Sequence, residues 1–356
     1  MTKPFVHTSY PSRVVFGPGT LEQVAAEVEL LGVRRALVIA TGSAQHAADE
    51  TQAALKELFA GRIDGVRQHV PTEIAEAARA KAREVDADGV IAIGGGSAIG
   101  LAKAIALTAD VQILAVPTTY AGSEMTPVWG ETSGGSKTTG TDLRVLPKTV
   151  VYDPLLTLQL PLNVTAASVA NALAHCVEAV WTEKANPITK TTAVEAAKAL
   201  ADGLRELLRE PEPANQQRLP SPAEIGARGN LLFGACLAGS ALASAGTGVH
   251  HKLCHLLGGT YNLPHAETHA AVLPQVTRVK APEVPRAKAR LEEALGTDDL
   301  ATGLFDLFTA ANVPTSLQAL GLTKEQAKDA AARFPGDVEE ILTRAWAGTR
   351  PEGATR

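Results

Sequence analysis

The sequence predicts an α/β half with a mainly parallel sheet over residues 1–154, followed by an all-α half over residues 155–356. Three observations carry that division. Short apolar runs alternate with amphipathic ones as far as Tyr152, the rhythm of β–α–β units. From Val164 onward the apolar residues recur at helical spacing instead. A chain of 356 residues also exceeds what a single core usually holds.

In order, Arg13–Phe16 reads as a strand ending at Gly17-Pro18-Gly19, and Leu21–Leu31 as a helix. Ala36–Ala40 is a buried strand ending at Thr41-Gly42-Ser43, and Ala47–Phe59 a helix. Arg67–Val70 is expected to be a short strand, Ala75–Val85 a helix, Gly89–Ile93 a strand, Ala98–Leu107 a helix and Ile113–Val116 a strand broken by Pro117. Trp129–Asp142, rich in Gly, Thr and Ser, suggests a polar hairpin or lid loop. Val150–Tyr152 is the last strand, closing at Asp153-Pro154. Helical spacing then runs through Val164–Thr182, Ile188–Leu208, Pro222–Gly246, Gly248–Leu257, Ala287–Leu295 and Leu300–Ala311, with a proline-rich connection at Glu210–Pro222 and a frayed tail from Gly348.

Composition narrows the function classes. A net charge of −5 leaves no basic footprint for nucleic acid, and 4% aromatic residues leave little for stacking bases. Three cysteines form no disulfide framework, which fits a reducing compartment; with no apolar leader at the N-terminus, a cytoplasmic protein is expected. Leu231–Val249 is uncharged, but Gly, Ala and Ser dominate it, so it reads as a packed core helix rather than a membrane span.

Two loops open at the carboxyl ends of predicted strands, where open α/β sheets bind ligands. Gly94-Gly95-Gly96-Ser97 lies between strand and helix. Glycines let a backbone approach a pyrophosphate, and a helix N-terminus offers unpaired N–H groups. Ser97 either caps that helix or donates to phosphate. The second loop runs from Pro117 to Thr126, with Thr118, Thr119 and Ser123 as hydroxyl donors for phosphate or ribose. Each loop alone is also consistent with an ordinary tight turn.

Thr247–His269 concentrates five of the nine histidines: His250, His251, His255, His265 and His269. His251 and His255 are one turn apart on a predicted helix, and Pro264 has ended that helix before His265. The functional reading is imidazoles converging on one volume; the structural alternative is two core histidines and one in a loop. Asn171 and His175 share a helix face among apolar neighbours and could hold a ligand between them. Cys254 beside His255 is expected to gain thiolate character from a neighbouring imidazolium.

In this order the motifs resemble those of the iron-containing (group III) alcohol dehydrogenases, with their dehydroquinate-synthase-like fold. The resemblance spans about Phe16–Pro274 and rests on GGGS at Gly94–Ser97, the Pro117–Thr126 segment, the Asn171–His175 pair, and His251, His255 and Pro264-His265. The wording TTYAGSEMT, RVLPKTVVYDP, NALAH, HHKLCHLLGG and LPHAETH is similar to that of the maleylacetate-reducing branch. The resemblance implies an N-terminal nucleotide domain, a helical catalytic domain and a homodimer. It implies reduction of the C=C bond of maleylacetate to give 3-oxoadipate with NADH or NADPH.

It also assigns roles. His251, His255, His175 and His265 are the expected catalytic group. Thr41, Gly94, Gly95, Gly96, Ser97, Thr118, Thr119 and Ser123 are expected to bind cofactor. Lys252, Lys137, Arg144 and Asn171 are expected to meet the dicarboxylate. Many members carry an acidic residue near Thr41, which repels a 2′-phosphate; the uncharged Thr41 predicts that both nucleotides serve. The family's metal cradle, one Asp and three His, maps onto Asn171, His175, His251 and His265. A neutral amide at Asn171 weakens such a site, so no metal requirement is expected. The rivals are a metal-dependent alcohol or polyol dehydrogenase, a lyase of the same fold, and a non-catalytic nucleotide binder.

Overall fold

A computed structural model of the chain describes residues 4–10, 12–68, 70–134, 136–209, 219–336 and 338–352. Two compact bodies emerge. The sheet body comprises Tyr10–Leu160 with Leu219–Leu232; the helical body comprises Met1–Ser9, Pro161–Arg218 and Phe233–Arg356.

In the sheet body the elements are β1 (Arg13–Phe16), α1 (Val24–Leu30), β2 (Ala36–Ala40), α2 (Gln45–Leu55), β3 (Phe59–Ile63), α3 (Thr72–Glu84), β4 (Gly89–Gly94), α4 (Gly96–Ala106), β5 (Gln112–Pro117), β6 (Val128–Ser133), β7 (Ser136–Thr141) and β8 (Thr149–Tyr152). Six strands form one sheet in the order β1-β8-β5-β4-β2-β3. Every pairing in it is parallel. One face packs on α1 and α2 through Val24, Val28, Ala48 and Leu55 against Val38, Ile91, Leu114 and Val151. α4 packs on α3 and against β4 and β5. The central strands β2 and β4 are buried along their whole length, which is why they read as continuous apolar runs. Asp153 ties the end of the sheet to its beginning, its carboxylate accepting from the N–H groups of Gly19 and Leu21, both at 3.1 Å.

The polar stretch after β5 is the antiparallel hairpin β6–β7, in which Ser133 pairs with Ser136. The expected strand at Arg67–Val70 is not formed. His69 lies outside the described residues, and Arg67, Gln68 and Val70 have no strand pairing; the edge strand is β3, which follows directly on the turn ending α2. The helix predicted to reach Phe59 stops at Leu55 because Lys56 takes a positive φ of 50°.

From residue 161 the chain is helical: α5 (Leu162–Ala179), α6 (Pro187–Arg209), α7 (Pro222–Ala245), α8 (Val249–Tyr261), α9 (His265–Lys280), α10 (Pro285–Leu295), α11 (Leu300–Ala310), α12 (Lys324–Arg333) and α13 (Glu339–Ala347). Most of the proline-rich connection at Glu210–Pro222 and the last residues of the tail lie outside the described residues. By length and composition α7 could cross a membrane, but most of its apolar stretch is buried inside the structure, as in a core helix. Within the helical body, α9 packs against α5, α8, α11 and α13.

Candidate active site

The strand order reverses beside β2 and β4. The chain adds β3 on one side of β2, then returns to place β4 on the other. Such a switch point leaves a crevice at the carboxyl ends of the two strands. Here it is lined by Thr41 after β2 and the glycines after β4. Gly94 has a φ of +147°, and a Cβ on it would lie 2.7 Å from Thr41 Cγ2. Gly95 would bring a Cβ to 2.9 Å from Thr119 Cγ2. β4 and β5 end in register, Gly94 beside Pro117, and the Thr118 N–H donates to Gly94 O at 3.1 Å. The two predicted loops are therefore joined by the ladder itself.

Gly95 is the N-cap of α4 and Gly96 its first residue. Capping by Ser97 does not occur: Ser97 sits inside the first turn, so its hydroxyl is left for another partner. Ser123 Oγ is buried without a hydrogen-bond partner and would be 4.0 Å from a Cβ on Gly96. Open helix N–H groups, a cradle no side chain could enter and an orphaned hydroxyl fit a nucleotide's phosphates. Thr41, Gly94–Ser97, Thr118, Thr119 and Ser123 thus come together in the sheet body.

In the helical body α5, α8 and α9 bring the imidazoles together. α5 is buried nearly throughout, and Asn171, His175 and Glu178 recur on one face of it at helical spacing. α8 ends at Tyr261, and its C-cap Asn262 takes the left-handed conformation at a φ of 55°; Pro264 then caps α9, whose first residue is His265. His265 therefore opens a helix rather than lying in a loop, and this puts His269 one turn below it. The His175 and His251 rings stack with centroids 5.1 Å apart, and His251 lies 4.7 Å from His269. His255 lies 6.3 Å from His251 and 6.1 Å from His265. His251 is buried, His265 half-buried and His255 exposed, so the cluster runs from the core to the surface.

Glu178 is fully buried and organises the group. Its carboxylate accepts from the backbone N–H of His250 at 2.7 Å and of His251 at 3.4 Å, and it pairs with His251 Nδ1. Burial alone would raise this carboxyl, but the His251 hydrogen bond and charge outweigh it and hold Glu178 at about 2. The ionised carboxylate fixes the proton on His251 Nδ1. His251 Nε2 is left with no partner, as are Asn171 Oδ1, His175 Nδ1 and His269 Nε2. Burial first, and neighbouring imidazoles second, push His175 and His269 well below the ordinary histidine range. His250 is pushed down to about 3 by burial, against the opposing pull of Glu178; its Nε2 lies 2.9 Å from His269 Nδ1.

Sequence reasoning did not assign roles to Glu178, His250 and His269. The signal was present in the Asn171/His175/Glu178 row and the His265/His269 pair, each at helical spacing. The break between α8 and α9 hid the His265/His269 pair, and Glu178 was hidden because its role comes from burial, which spacing does not report.

The basic residues are distributed differently. Lys252 is exposed on α8, next in sequence to His251. Arg144 is held by Asp142 at 2.7 Å and donates to Leu107 O at 2.9 Å, closing the end of α4. The Lys137 side chain lies outside the described residues. Cys254 does not have the expected thiolate character. It is buried, its sulfur lies 3.7 Å from His250 Nε2 rather than beside His255, and burial pushes its thiol well above the usual range.

Among the described residues, the donors that come together closely enough for a metal are uncharged imidazoles. His250, His251 and His269 place ligand atoms within 4.8 Å of one another. Two of them, however, already face each other at 2.9 Å. The carboxylate at the cluster, Glu178, is spent on two backbone N–H groups and His251 Nδ1. The residues present do not match a cradle of one carboxylate and three imidazoles.

A glycine-lined switch point in a parallel sheet and a buried imidazole cluster on a helical body define the class of nucleotide-dependent oxidoreductases. Residues 11–154 match the profile "Iron-containing alcohol dehydrogenase", and residues 165–337 match "Fe-containing alcohol dehydrogenase family, C-terminal". The chain is 45% identical to maleylacetate reductase 1 of Rhodococcus opacus, over 98% of both chains. It is 46% identical to the maleylacetate reductase of Sphingobium indicum, over 92% of this chain and 90% of that one. The crystal structure of maleylacetate reductase from Agrobacterium tumefaciens superimposes with a TM-score of 0.90 at 38% identity, covering 98% of this chain and 100% of that one. The chain belongs to the iron-containing alcohol dehydrogenase family, on the branch of the maleylacetate reductases. Members of the family are NAD(P)-dependent oxidoreductases.

Proposed function

We propose that this protein reduces the carbon–carbon double bond of maleylacetate to give 3-oxoadipate, using NADH or NADPH in the breakdown of aromatic compounds. The observation that carries the substrate is the 45% identity to the Rhodococcus opacus reductase over 98% of both chains. The histidine cluster supplies the chemistry.

The nicotinamide, when bound, supplies the hydride, which adds to the alkene carbon β to the ketone. The π electrons move onto the ketone oxygen as an enolate. A proton then adds to the α carbon and restores the ketone, so one hydride and one proton saturate the bond. His251 is the donor to the enolate oxygen. Its Nδ1 proton is committed to Glu178, so protonation at Nε2 gives a cation whose counter-ion is already in place. His175 and His265 line the same cluster, and the exposed His255 connects it to solvent protons. An enolate carries its charge on an atom that N–H donors can reach, so this route needs no Lewis acid. Lys252, Lys137, Arg144 and the Asn171 amide remain the candidates for the two substrate carboxylates.

The deciding experiment follows NADH and NADPH consumption with maleylacetate before and after exhaustive chelation. Turnover with both nucleotides, unchanged by chelation, is expected. Activity lost on chelation and restored by iron or zinc, together with alcohol oxidation, establishes the second reading, a metal-dependent alcohol dehydrogenase. That reading is favoured by the close approach of His250, His251 and His269. The active species is expected to be a cytoplasmic homodimer, which light scattering tests for its oligomeric part.

A further inference from the structure

Lys103 on α4 is 2% exposed, a rare place for an ammonium. Its Nζ donates to Ser123 O at 2.7 Å, Thr126 O at 2.7 Å and Val128 O at 2.8 Å, with Thr126 Oγ1 at 3.1 Å. An ammonium has three N–H bonds, and here three carbonyl oxygens receive them. All three belong to the stretch that leaves β5 and enters β6. That stretch begins with Thr118 and Thr119 and turns at Gly122, which has a φ of 74°. Thr126 Oγ1 donates in turn to Ser123 O at 3.0 Å, so one cation gathers the whole turn.

We propose that Lys103 is a positioning residue for the nucleotide: by holding these carbonyls it fixes the segment that presents Thr118, Thr119 and Ser123, and so sets how tightly NADH or NADPH is bound. This rests on the reading of that segment as the cofactor's. Lys103 acts through the loop and has no part in the chemistry at the histidines.

Protonation matters to this role. A neutral amine has two N–H bonds and would turn a lone pair toward the third carbonyl. Burial pushes Lys103 down to about 7, opposed by the charge of Glu124. Glu124 is itself buried, pushed upward by that burial, and accepts from Tyr152 OH at 2.7 Å. Of the other charged groups on elements packed against α4, Arg79 on α3 pairs with Glu76 and Glu131, Lys81 with Glu84, and Arg144 with Asp142, while Glu73 and Arg83 on α3 are exposed. The clamp is therefore expected to loosen as the pH rises through about 7, where half of the amines have lost the third N–H.

The test is NADH affinity by fluorescence titration of the full-length protein without substrate, from about pH 6 to about pH 9, either side of the ammonium's value of about 7. Lys103→Met is expected to raise the NADH Kd about tenfold while kcat at saturating NADH stays within about threefold. The wild-type Kd is expected to rise with pH, and in Lys103→Arg, whose guanidinium stays charged, the profile is expected to be flat. A folded Lys103→Met protein with wild-type Kd overturns the proposal. If neither variant folds, a wild-type Kd that does not change across this pH range overturns it. Failure of the maleylacetate reading looks different: the wild type would bind NADH yet not oxidise it with maleylacetate, and the Kd comparison would still stand.

Discussion

Asn171 decides how much charge faces the imidazole cluster. Its amide oxygen is buried without a partner on α5, one turn from His175, which burial keeps neutral. Asn171→Asp introduces a carboxylate there, and zinc affinity is expected to rise at least about tenfold, read by elemental analysis and competition with a chelator. Maleylacetate turnover should fall in the same variant, because an unmetallated carboxylate opposes a developing enolate. Wild-type metal content near one per chain, removable only with loss of activity, would contradict this account. His251→Gln removes the buried imidazole whose tautomer the Glu178 carboxylate sets. Its kcat is expected to drop by about 10²–10³-fold, the usual cost of losing an oxyanion donor, with the KM for NADH little changed. A loss confined to KM would shift the donor role to another histidine.

At the scale of elements, strands were easier to place than helix ends. β2, β4 and β8 are buried throughout, so their apolar runs marked them. β3 escaped because Phe59-Ala60-Gly61-Arg62-Ile63 is only half-buried at the sheet's edge and contains glycine and arginine. α9 escaped because Pro264 was read as the end of one helix when it is also the cap of the next. α12 and α13 are short and charged, and α12 is marked mainly by its capping box of Thr323 and Gln326. The candidate site was legible where residue type carries the chemistry, as with the glycines and His251. It was not legible where burial does, as with Glu178 and Lys103: sequence gives no measure of how far water is excluded from a carboxylate or an ammonium. The β4–α4 turn yields its own prediction. The backbone of Gly95 tolerates alanine, but the added Cβ must displace Thr119. Gly95→Ala should therefore fold normally and bind NADH about tenfold more weakly; unchanged affinity would separate this turn from the nucleotide.

For the molecule as a whole, the buried cluster sets the response to acid. His250 at about 3, and His175 and His269 well below 6.5, stay neutral in the fold but protonate once unfolded. Below about pH 6.5 the unfolded chain therefore binds more protons than the native one, and stability falls with pH by up to about 4 kcal/mol per unit for three such groups. Glu178 adds to the loss lower down. Its folded value of about 2 lies below the ordinary 4.5, so its contribution is present above 4.5 and disappears as pH falls toward 2. Denaturant melts from pH 7.5 downward should show a steep decline beginning near pH 6.5. A flat profile to pH 5 would mean that the cluster is hydrated and already charged in the native state.

The sheet order also governs how the chain can be assembled during synthesis. β1 leaves the ribosome first, yet its partner is β8, with Phe16 beside Tyr152. Asp153, which fastens Gly19 and Leu21, arrives later still. Until then a nascent chain carries β2, β4 and β5 as apolar strands in an incomplete sheet, the kind of intermediate that associates with its neighbours. The sheet body also takes in Leu219–Leu232, so it is not finished when its last strand emerges. Chaperone dependence should therefore fall on the first 150 or so residues during translation. Expression at lower temperature, where elongation is slower, should favour the soluble product.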